Sequence, residues 1–237
     1  MVVVNKLLYN KCVFKLKRRV KIKWGPDFAY AIGVIASDGY LNPDQKHIWI
    51  SSAEEEMLLN FKQALRSTNK IGRYARGGEK EKRYFYFTFG DKIFYKFLNS
   101  IGITSAKSKT IKMVVVPDKY FGDFLRGLFD GDGSFYTFQD KRWPSSFGYQ
   151  ISFASASYDF VIWLKEKLTK LYGIKGFIRP GAGVFVIRYV KRDSIKLFLE
   201  MYKNKNKVLF LRRKYDKMNT VLLADRLYKK LKIAGVA

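Results

Sequence analysis

Apolar residues recur along the chain with two different periods, and these predict alternating helices and strands. Residues 54–66 carry apolar side chains every three or four positions, the period of an amphipathic helix. Residues 71–76 and 84–89 have strand composition and are separated by a Gly-Gly turn. Helices are predicted over residues 25–37, 54–66, 91–100, 120–131, 157–172, 193–201 and 207–232. Strands are predicted over residues 47–52, 71–76, 84–89, 134–138, 149–154, 174–178 and 184–189.

The order of these elements repeats along the chain. Helix–strand–strand–helix–strand–strand–helix occurs twice, and a segment punctuated by Pro117 joins the two copies. Two copies are too few for a solenoid, so the sequence predicts a duplicated α+β unit. The predicted parts are a basic N-terminal arm (1–24), a first repeat (25–113), a linker (114–119), and a second repeat with a basic, helical C-terminal tail (120–237).

The strong positive charge of the chain narrows the classes of molecule that it could bind. Of 237 residues, 46 are Lys or Arg and 20 are Asp or Glu, so the formal net charge is +26. The hydrophobic fraction of 48% supports a folded core and excludes a disordered polycation. Nucleic acid is the first candidate partner, because neutralising phosphates releases counterions. An anionic membrane is the rival, but no apolar run approaches the length of a membrane span. A ribosome-like or thermostable surface would also be this basic.

The chain has one cysteine and one histidine, Cys12 and His47. A single cysteine excludes an internal disulfide and favours a reducing compartment. A single histidine excludes chemistry that needs two, including Cys/His zinc sites. The first residues lack the apolar core and cleavage site of a secretory signal, so we expect an intracellular protein of the cytoplasm, nucleoid or an organelle.

Two stretches of the chain are similar to each other. Residues 31–39 read AIGVIASDG and residues 125–133 read LRGLFDGDG; each has a Gly five residues before an Asp and a Gly directly after it. Asp38 and Asp132 fall at predicted helix C-termini, where a carboxylate is disfavoured by about 0.3–1 kcal/mol. An acid in this position twice indicates a counter-cation. The Gly after each Asp is expected to adopt the left-handed conformation that ends a helix.

Small residues four positions apart share one face of each of these helices: Gly33 and Ser37, and Gly127 and Gly131. Such faces let two helix backbones approach closely. If the helices pack through them, the two aspartates become neighbours, and they repel unless one is protonated or a divalent cation lies between them. Oxygen ligands favour Mg²⁺, completed by water and substrate phosphate, at a site that hydrolyses phosphodiesters. The alternative for either stretch alone is an Asp-Gly turn after a buried helix.

The two stretches resemble the signature motifs of the LAGLIDADG homing endonucleases in their single-chain, two-repeat form. The second stretch is close to the consensus, whereas the first departs from it at Ala31, Ile32 and Ala36. Repeat length and element order also match, so the resemblance covers nearly the whole chain. It implies two α-β-β-α-β-β-α units whose four-stranded antiparallel sheets form a saddle over the DNA major groove, with the motif helices at the pseudo-twofold interface.

The resemblance also implies a metal site. The last acid of each motif binds divalent metal in the family, which here means Asp38 and Asp132. The backbone carbonyls of the preceding residues, Ser37 and Gly131, are further ligands. Asp130 has no acidic counterpart in the first motif, so we interpret it as a polar helix-end residue or a support for the ligands.

A basic residue near the active site is implied for each repeat, after its last helix. Lys107 fits this description in the first repeat, with Lys109 as the second choice, and Lys214 fits it in the second. A lysine there would stabilise the phosphate charge of the transition state. Because lysine is abundant throughout the chain, an ordinary surface lysine is the alternative.

The strands supply the predicted DNA-reading surface. Alternate side chains of a strand face the core and the groove, and a slip of one residue exchanges the faces. Arg and Gln can read guanine and adenine edges, while Lys and Tyr more often contact phosphates. The DNA-binding candidates are Arg73, Arg76, Arg83, Tyr84, Tyr86, Gln139, Lys141, Arg142, Gln150, Arg179 and Arg188. Further candidates in the second repeat are Tyr136, Phe138, Tyr149, Ser152 and Tyr189.

Together these features predict a monomeric, intron-encoded endodeoxyribonuclease that uses Mg²⁺ to cut both strands of a long, asymmetric DNA site. Mn²⁺ or Ca²⁺ is expected to replace Mg²⁺ for binding, and no protein or membrane partner is needed. Two alternatives use the same scaffold. One is an RNA maturase that aids splicing of its host intron, and the other is a DNA-binding regulator that has lost cleavage.

Overall fold

The two helices that carry the Asp-Gly motifs lie at the centre of the fold. The computed structural model describes residues 20–78, 80–139, 141 and 147–225. Its helices are α1 (Pro26–Asp38), α2 (Glu55–Ala64), α3 (Lys92–Ser100), α4 (Lys107–Thr110), α5 (Phe121–Asp132), α6 (Tyr158–Tyr172), α7 (Arg192–Tyr202) and α8 (Arg212–Ala224). Its strands are β1 (Gly39–Leu41), β2 (His47–Ser52), β3 (Ile71–Tyr74), β4 (Tyr84–Gly90), β5 (Gly133–Gln139), β6 (Phe147–Ser155), β7 (Phe177–Pro180) and β8 (Phe185–Val190). Short 3₁₀ turns cover Asp118–Tyr120 and Lys205–Lys207.

Each repeat forms one four-stranded antiparallel sheet, and the two sheets have the same topology. The strand order is β1-β2-β4-β3 in the first sheet and β5-β6-β8-β7 in the second. The first strand of each sheet starts directly after a motif aspartate, at Gly39 and at Gly133. The predicted α+β class and the duplicated arrangement of elements are confirmed.

The helices pack on one face of each sheet and leave the other face outward. In the first sheet Ile48, Ile50 and Phe87 are fully buried. In the second sheet Tyr149 and Tyr189 are fully buried in the same way. The expectation that these two tyrosines read DNA is therefore wrong, because both rings belong to the hydrophobic core.

Helices α1 and α5 touch through their glycines. A Cβ atom added to Gly33 would lie 2.1 Å from the Phe124 carbonyl oxygen, and one added to Gly127 would lie 2.0 Å from the Tyr30 carbonyl oxygen. Real Cβ atoms do not approach a backbone oxygen this closely, so only glycine permits the contact. The predicted packing through small-residue faces is confirmed, and it aligns the C-terminal ends of both helices.

The glycine after each motif aspartate is extended, which corrects the expectation of a left-handed helix end. Gly39 has φ −72° and ψ 134°, and Gly133 has φ −77° and ψ 147°. The chain passes straight from helix into strand at both positions. Glycine is required for space instead, since a Cβ atom at Gly133 would lie 2.5 Å from the Cα of Phe129.

Several element boundaries differ from the predicted ones. The strand predicted over 174–178 is Phe177–Pro180, because Ile174 is buried in the connection after α6 rather than paired in the sheet. The short elements β1 and α4 carry too few residues to show a period, and the sequence did not predict them individually.

Parts of the predicted ends lie outside the described residues. Residues 20–24 of the basic arm form neither helix nor strand, and residues 1–19 and 226–237 are outside the described part of the chain. None of the helices in the described part is both long enough and apolar enough to cross a membrane.

Candidate metal centre and nucleic-acid surface

The two motif aspartates meet where α1 and α5 end. A Cβ atom added to Gly131 would lie 2.1 Å from the Asp38 Oδ2 atom and 2.0 Å from the Ser37 hydroxyl oxygen. The end of α5 is therefore packed directly on the end of α1, and Asp132 follows one residue later. The side chain of Asp38 is half-buried, whereas Asp132 is open to solvent on one side.

The electrostatics of this pair favour a cation. Burial, and after it the neighbouring Asp38, raise the pKa of Asp132 to about 6, against the opposing effect of Lys107 and Lys214. Burial also raises the pKa of Asp38. The Oδ2 atom of Asp38 is buried and has no hydrogen-bond partner among the described residues. A carboxylate oxygen in that position needs a positive charge to be stable in its ionised form.

Two lysines bind the ends of the motif helices. The Lys107 ammonium donates to the Ser37 carbonyl oxygen at 2.8 Å. The Lys214 ammonium donates to the carbonyl oxygens of Phe129 at 2.7 Å, Gly131 at 3.0 Å and Gly133 at 2.7 Å. A cation at a helix C-terminus is stabilised by the free carbonyls and the helix dipole. The two lysines are thus equivalent in position, although α4 carries one and the first turn of α8 carries the other.

The position of Lys107 separates it from Lys109. Lys107 is 6% exposed, while Lys109 is exposed to solvent on the same short helix. Burial lowers the pKa of Lys107 to about 8, against the opposing effect of Asp132 and Asp38. The geometry therefore favours the first choice made from the sequence.

The residues at this point fit a hard divalent cation. The oxygens that could hold it are the carboxylates of Asp38 and Asp132. The carbonyls of Ser37 and Gly131, which the sequence suggested as further ligands, accept hydrogen bonds from Lys107 and Lys214. Within the described residues no three His, Cys, Asp or Glu side chains cluster as a metal site. Remaining ligands would have to be water or phosphate oxygens, which is the coordination that Mg²⁺ prefers.

A cavity of about 410 Å³ opens beside Asp132. Arg213, Lys214 and Lys217 line it together with Asp132. The Arg213 guanidinium is paired with Glu54, so Lys214 and Lys217 are the lining cations left to attract a phosphate group into this cavity. Sequence reasoning missed Arg213 and Lys217, because they stand in a basic stretch where no single lysine or arginine is distinctive.

Asp130 holds the start of α8. Its Oδ2 atom accepts a hydrogen bond from the Tyr30 hydroxyl at 2.9 Å and from the Leu211 backbone N–H at 2.7 Å. Asp130 therefore connects α1, α5 and the helix that carries Lys214. This agrees with its interpretation as a support for the ligands.

Arg126 ties the same region to α7, and the sequence did not single it out. It is 1% exposed and donates to the carbonyl oxygens of Met201 and Leu209, both at 2.7 Å. It also pairs with Asp123 at 2.9 Å. The signal was a lone arginine inside an otherwise apolar helical stretch.

The family model of the LAGLIDADG-like domain matches residues 122–203. Residues 122–203 are therefore similar to a LAGLIDADG-like domain. The matched part begins in α5, which carries the second motif, and reaches the end of α7. No curated protein matches the chain in sequence.

Solved structures share the LAGLIDADG fold over most of the chain. The homing endonuclease I-WcaI bound to its DNA recognition sequence has a TM-score of 0.55 and 14% identity, covering 81% of this chain and 86% of that one. Meganuclease I-SmaMI bound to uncleavable DNA has a TM-score of 0.54 and 11% identity, covering 86% and 91%. Full-length DUF199/WhiA from Thermatoga maritima has a TM-score of 0.52 and 16% identity, covering 91% and 69%. These likenesses establish the fold, and the predicted LAGLIDADG two-repeat form is confirmed.

Strand pairing shows which candidates face outward in the second LAGLIDADG sheet. Cross-strand partners share a face, and Ser152 pairs with Ser134 and Arg188 on the side opposite the buried Ile151. Gln150 lies on this outward side but is 5% exposed, and its amide donates to the Tyr136 hydroxyl. The outward side of the second sheet carries Tyr136, Phe138, Gln150, Ser152, Arg179 and Arg188.

The register corrects the expectation that Arg73 and Gln139 face the groove. Arg73 pairs with Phe85 on the helix side of the first sheet, and its guanidinium lies 3.5 Å from Glu55 of α2. Gln139 pairs with Phe147 and shares the face of the buried Tyr149. Alternate side chains of a strand lie on opposite faces, and the sequence did not show which set faces the helices.

The other candidates lie at the surface. Tyr84 and Tyr86 face outward on β4, and the Arg76 guanidinium lies 5.3 Å from the Tyr84 ring centre. Arg83 pairs with the exposed Glu81 at 2.8 Å. Lys141 is exposed in the connection between β5 and β6. Arg142 is outside the described residues.

A pH-dependent stability is expected from Asp130. Burial raises its pKa to about 7, from an ordinary value of 3.8. The folded protein then binds more protons than the unfolded chain between these values, so the free energy of unfolding falls as pH rises from about 4 to about 7. Asp130→Asn keeps both accepted hydrogen bonds and removes the ionisation. In the variant, the fall in the free energy of unfolding across this pH range is expected to be smaller by roughly 2–4 kcal/mol.

Urea unfolding at pH 4.5 and pH 8 measures this difference. Asp159→Asn, at an exposed position on α6, is the matched control. Its free energy of unfolding should change with pH as it does in the unaltered protein. An Asp130→Asn variant with an unchanged slope would show that Asp130 ionises freely in the fold.

Proposed function

We propose that the protein is an endodeoxyribonuclease that uses a divalent metal to hydrolyse both strands of a long, asymmetric duplex DNA site. The observation that carries the proposal is the meeting of Asp38 and Asp132 at the ends of two packed helices, each helix end bound by a lysine. The net charge of +26 and two sheets with free outward faces support a duplex as the substrate. The likeness in fold to DNA-bound homing endonucleases supports the same class.

The two aspartates would hold the metal, and one scissile phosphate of each DNA strand would lie near each of them. A bound divalent ion would activate water and stabilise the leaving oxygen. Asp38 and Asp132 lie together at the ends of the two packed helices, so both carboxylates could hold such an ion. In the hydrolysis, a water oxygen bonds to phosphorus and gives up a proton to solvent, while the bond from phosphorus to one deoxyribose oxygen breaks and that oxygen takes up a proton.

The lysines stabilise the phosphate that reacts. Lys107 and Lys214 present N–H groups beside the two carboxylates and contact the helix ends from opposite repeats. Asp130 and Leu211 position Lys214 by fixing the first turn of α8. Since the ammonium groups are held before DNA arrives, they stabilise the growing negative charge without reorganisation.

The outward faces of the two sheets differ, which supports an asymmetric target. The outward side of the second sheet has Arg179 and Arg188 beside Tyr136 and Phe138, whereas that of the first has tyrosines and a tryptophan and no arginine from its strands. A palindromic site would require two equivalent faces. One chain carries both halves, so the active species is a monomer.

Digestion of a plasmid pool with randomised target inserts tests the proposal. With Mg²⁺ we expect a related set of inserts to be cut on both strands, and with EDTA we expect none. Uncut DNA throughout a pool that the protein nevertheless binds would contradict the nuclease and favour the regulator. Restored splicing of a host intron in an RNA assay would favour the maturase.

A further inference from the structure

The outward face of the first sheet is aromatic. Strand pairing aligns Tyr40 with Trp49, and Tyr74 with Tyr84, and places Tyr86 on the same face. This face is opposite the side on which the core residues of β2 and β4 are buried. Tyr40 is 51% exposed, and the other four rings are half-buried. We call these five side chains the aromatic face.

The rings of the aromatic face are packed on one another. Trp49 and Tyr86 are stacked with ring centres 4.4 Å apart and planes 4° apart. Tyr74 lies 6.2 Å from Trp49 and 5.7 Å from Tyr84. A Cβ atom at Gly72 would lie 2.3 Å from the Tyr86 ring, so glycine lets that ring lie over β3. Trp49, Tyr74, Tyr84 and Tyr86 therefore form one continuous surface across three strands, and Tyr40 lies beside Trp49 on the fourth.

Reading of a duplex does not account for these rings. Stacked base pairs offer a protein only their edges in the groove, and edges are read by side chains rich in donors and acceptors. The second sheet has such side chains in Arg179 and Arg188 on its outward side, beside Tyr136 and Phe138. On the aromatic face Trp49 and Tyr86 cover one side of each other, and the ring surface that stays exposed suits the exposed faces of unpaired bases.

Basic residues lie at both ends of the aromatic face. The exposed Arg76, Lys80 and Lys82 belong to the connection between β3 and β4, and the exposed Lys46 precedes β2 at the opposite end. Strand β4 has 7 residues, so the face between them is about 20 Å long. Cations at this spacing match the phosphates of a strand whose bases lie on the rings between them.

We propose that the aromatic face binds single-stranded nucleic acid by stacking two or three unpaired bases. This is a second binding activity, and it requires neither metal nor the aspartates. Each stacked base is expected to tighten binding by roughly five- to a hundredfold over the contribution of charge alone. Because duplex DNA is proposed to lie against the same sheets, a single strand should compete with the duplex.

Fluorescence anisotropy of labelled eight-residue oligonucleotides in EDTA tests this inference. The probes are oligothymidine, oligouridine and an abasic strand of equal length and charge. We expect the base-bearing strands to bind at least about tenfold more tightly than the abasic one. A preference for uridine would assign RNA as the ligand, a preference for thymidine would assign single strands of DNA, and equal binding would assign single strands of either kind. Equal binding of base-bearing and abasic strands by the unaltered protein would overturn the proposal.

Variants locate the binding to the aromatic face. The double variant Trp49→Ala, Tyr86→Ala is expected to bind base-bearing and abasic strands with about equal affinity. Its affinity for the abasic strand should be the same as that of the unaltered protein. Tyr86→Phe keeps the ring and should keep the preference. Tyr158→Ala removes an exposed ring from α6 and is the matched control. A full preference in the double variant would contradict the assignment to this face. Circular dichroism checks that the double variant folds. The comparison of base-bearing with abasic strands uses the unaltered protein, so it tests the proposal even if the variant does not fold.

Discussion

The Asp38→Asn and Asp132→Asn variants are each expected to cut a cognate duplex at least about a thousandfold more slowly than the unaltered protein. An amide has the shape of the carboxylate but carries no negative charge, so the divalent ion loses a ligand and half of its compensating charge. Loss of a single group that stabilises charge in a transition state costs about a hundred- to a thousandfold, and loss of the ion costs more. Cleavage of a plasmid that carries the target measures the rate.

Binding and cleavage should separate in these variants. Removal of a carboxylate from a +26 chain does not weaken its attraction to phosphate, so a gel shift in Ca²⁺ should show duplex binding at least equal to that of the unaltered protein. Asp159→Asn on α6 removes a carboxylate of the same type far from the motif helices and should cut at the unaltered rate. Retained cleavage in either motif variant would remove that aspartate from the metal centre.

Gly127→Ala is expected to lower the free energy of unfolding by more than about 3 kcal/mol. Overpacking a core typically costs about 1–3 kcal/mol when side chains can move. Here the new methyl group would lie 2.0 Å from the backbone oxygen of Tyr30, so α1 and α5 must separate to admit it. The sign of the change in stability is diagnostic, because in an isolated helix the replacement of glycine by alanine is stabilising by about 1 kcal/mol.

Gly25→Ala is the matched control for this substitution. Nothing lies within 4 Å of a Cβ atom at Gly25, just before α1, so a change of at most about 0.5 kcal/mol is expected there. Urea unfolding measures both variants. If Gly127→Ala were as stable as Gly25→Ala, the close contact of the motif helices would be refuted. A separated pair of helices should also cut DNA poorly, since Asp38 and Asp132 would no longer share a site.

Much of the candidate site could be predicted from the sequence because it is local. The spacing of Gly33 and Ser37, and of Gly127 and Gly131, is set by the helix that contains them, and each motif aspartate follows directly. Four residues bring two side chains to one face of a helix wherever that helix lies. Lys107 and Lys214 were reachable only through the family resemblance, since their positions depend on how α4 and α8 fold back on the motif helices.

The outward faces of the sheets could not be predicted from the sequence. A strand alternates with a period of two, and its phase depends on which neighbour it pairs with. Arg73 pairs with Phe85 and turns to the helix side, and Tyr149 and Tyr189 enter the core. The same pairing gathers Trp49, which no motif marked, onto the aromatic face.

The sequence by itself determined the duplication, the basic character of the chain and the two acids at helix ends, because these depend on composition and on spacing within single helices. The tertiary structure alone decided that Asp130 holds the start of α8, that Arg126 holds the end of α7, and that the outward side is aromatic on the first sheet but mixes arginines with rings on the second. These features depend on contacts between residues far apart in the chain, which local periodicity does not encode.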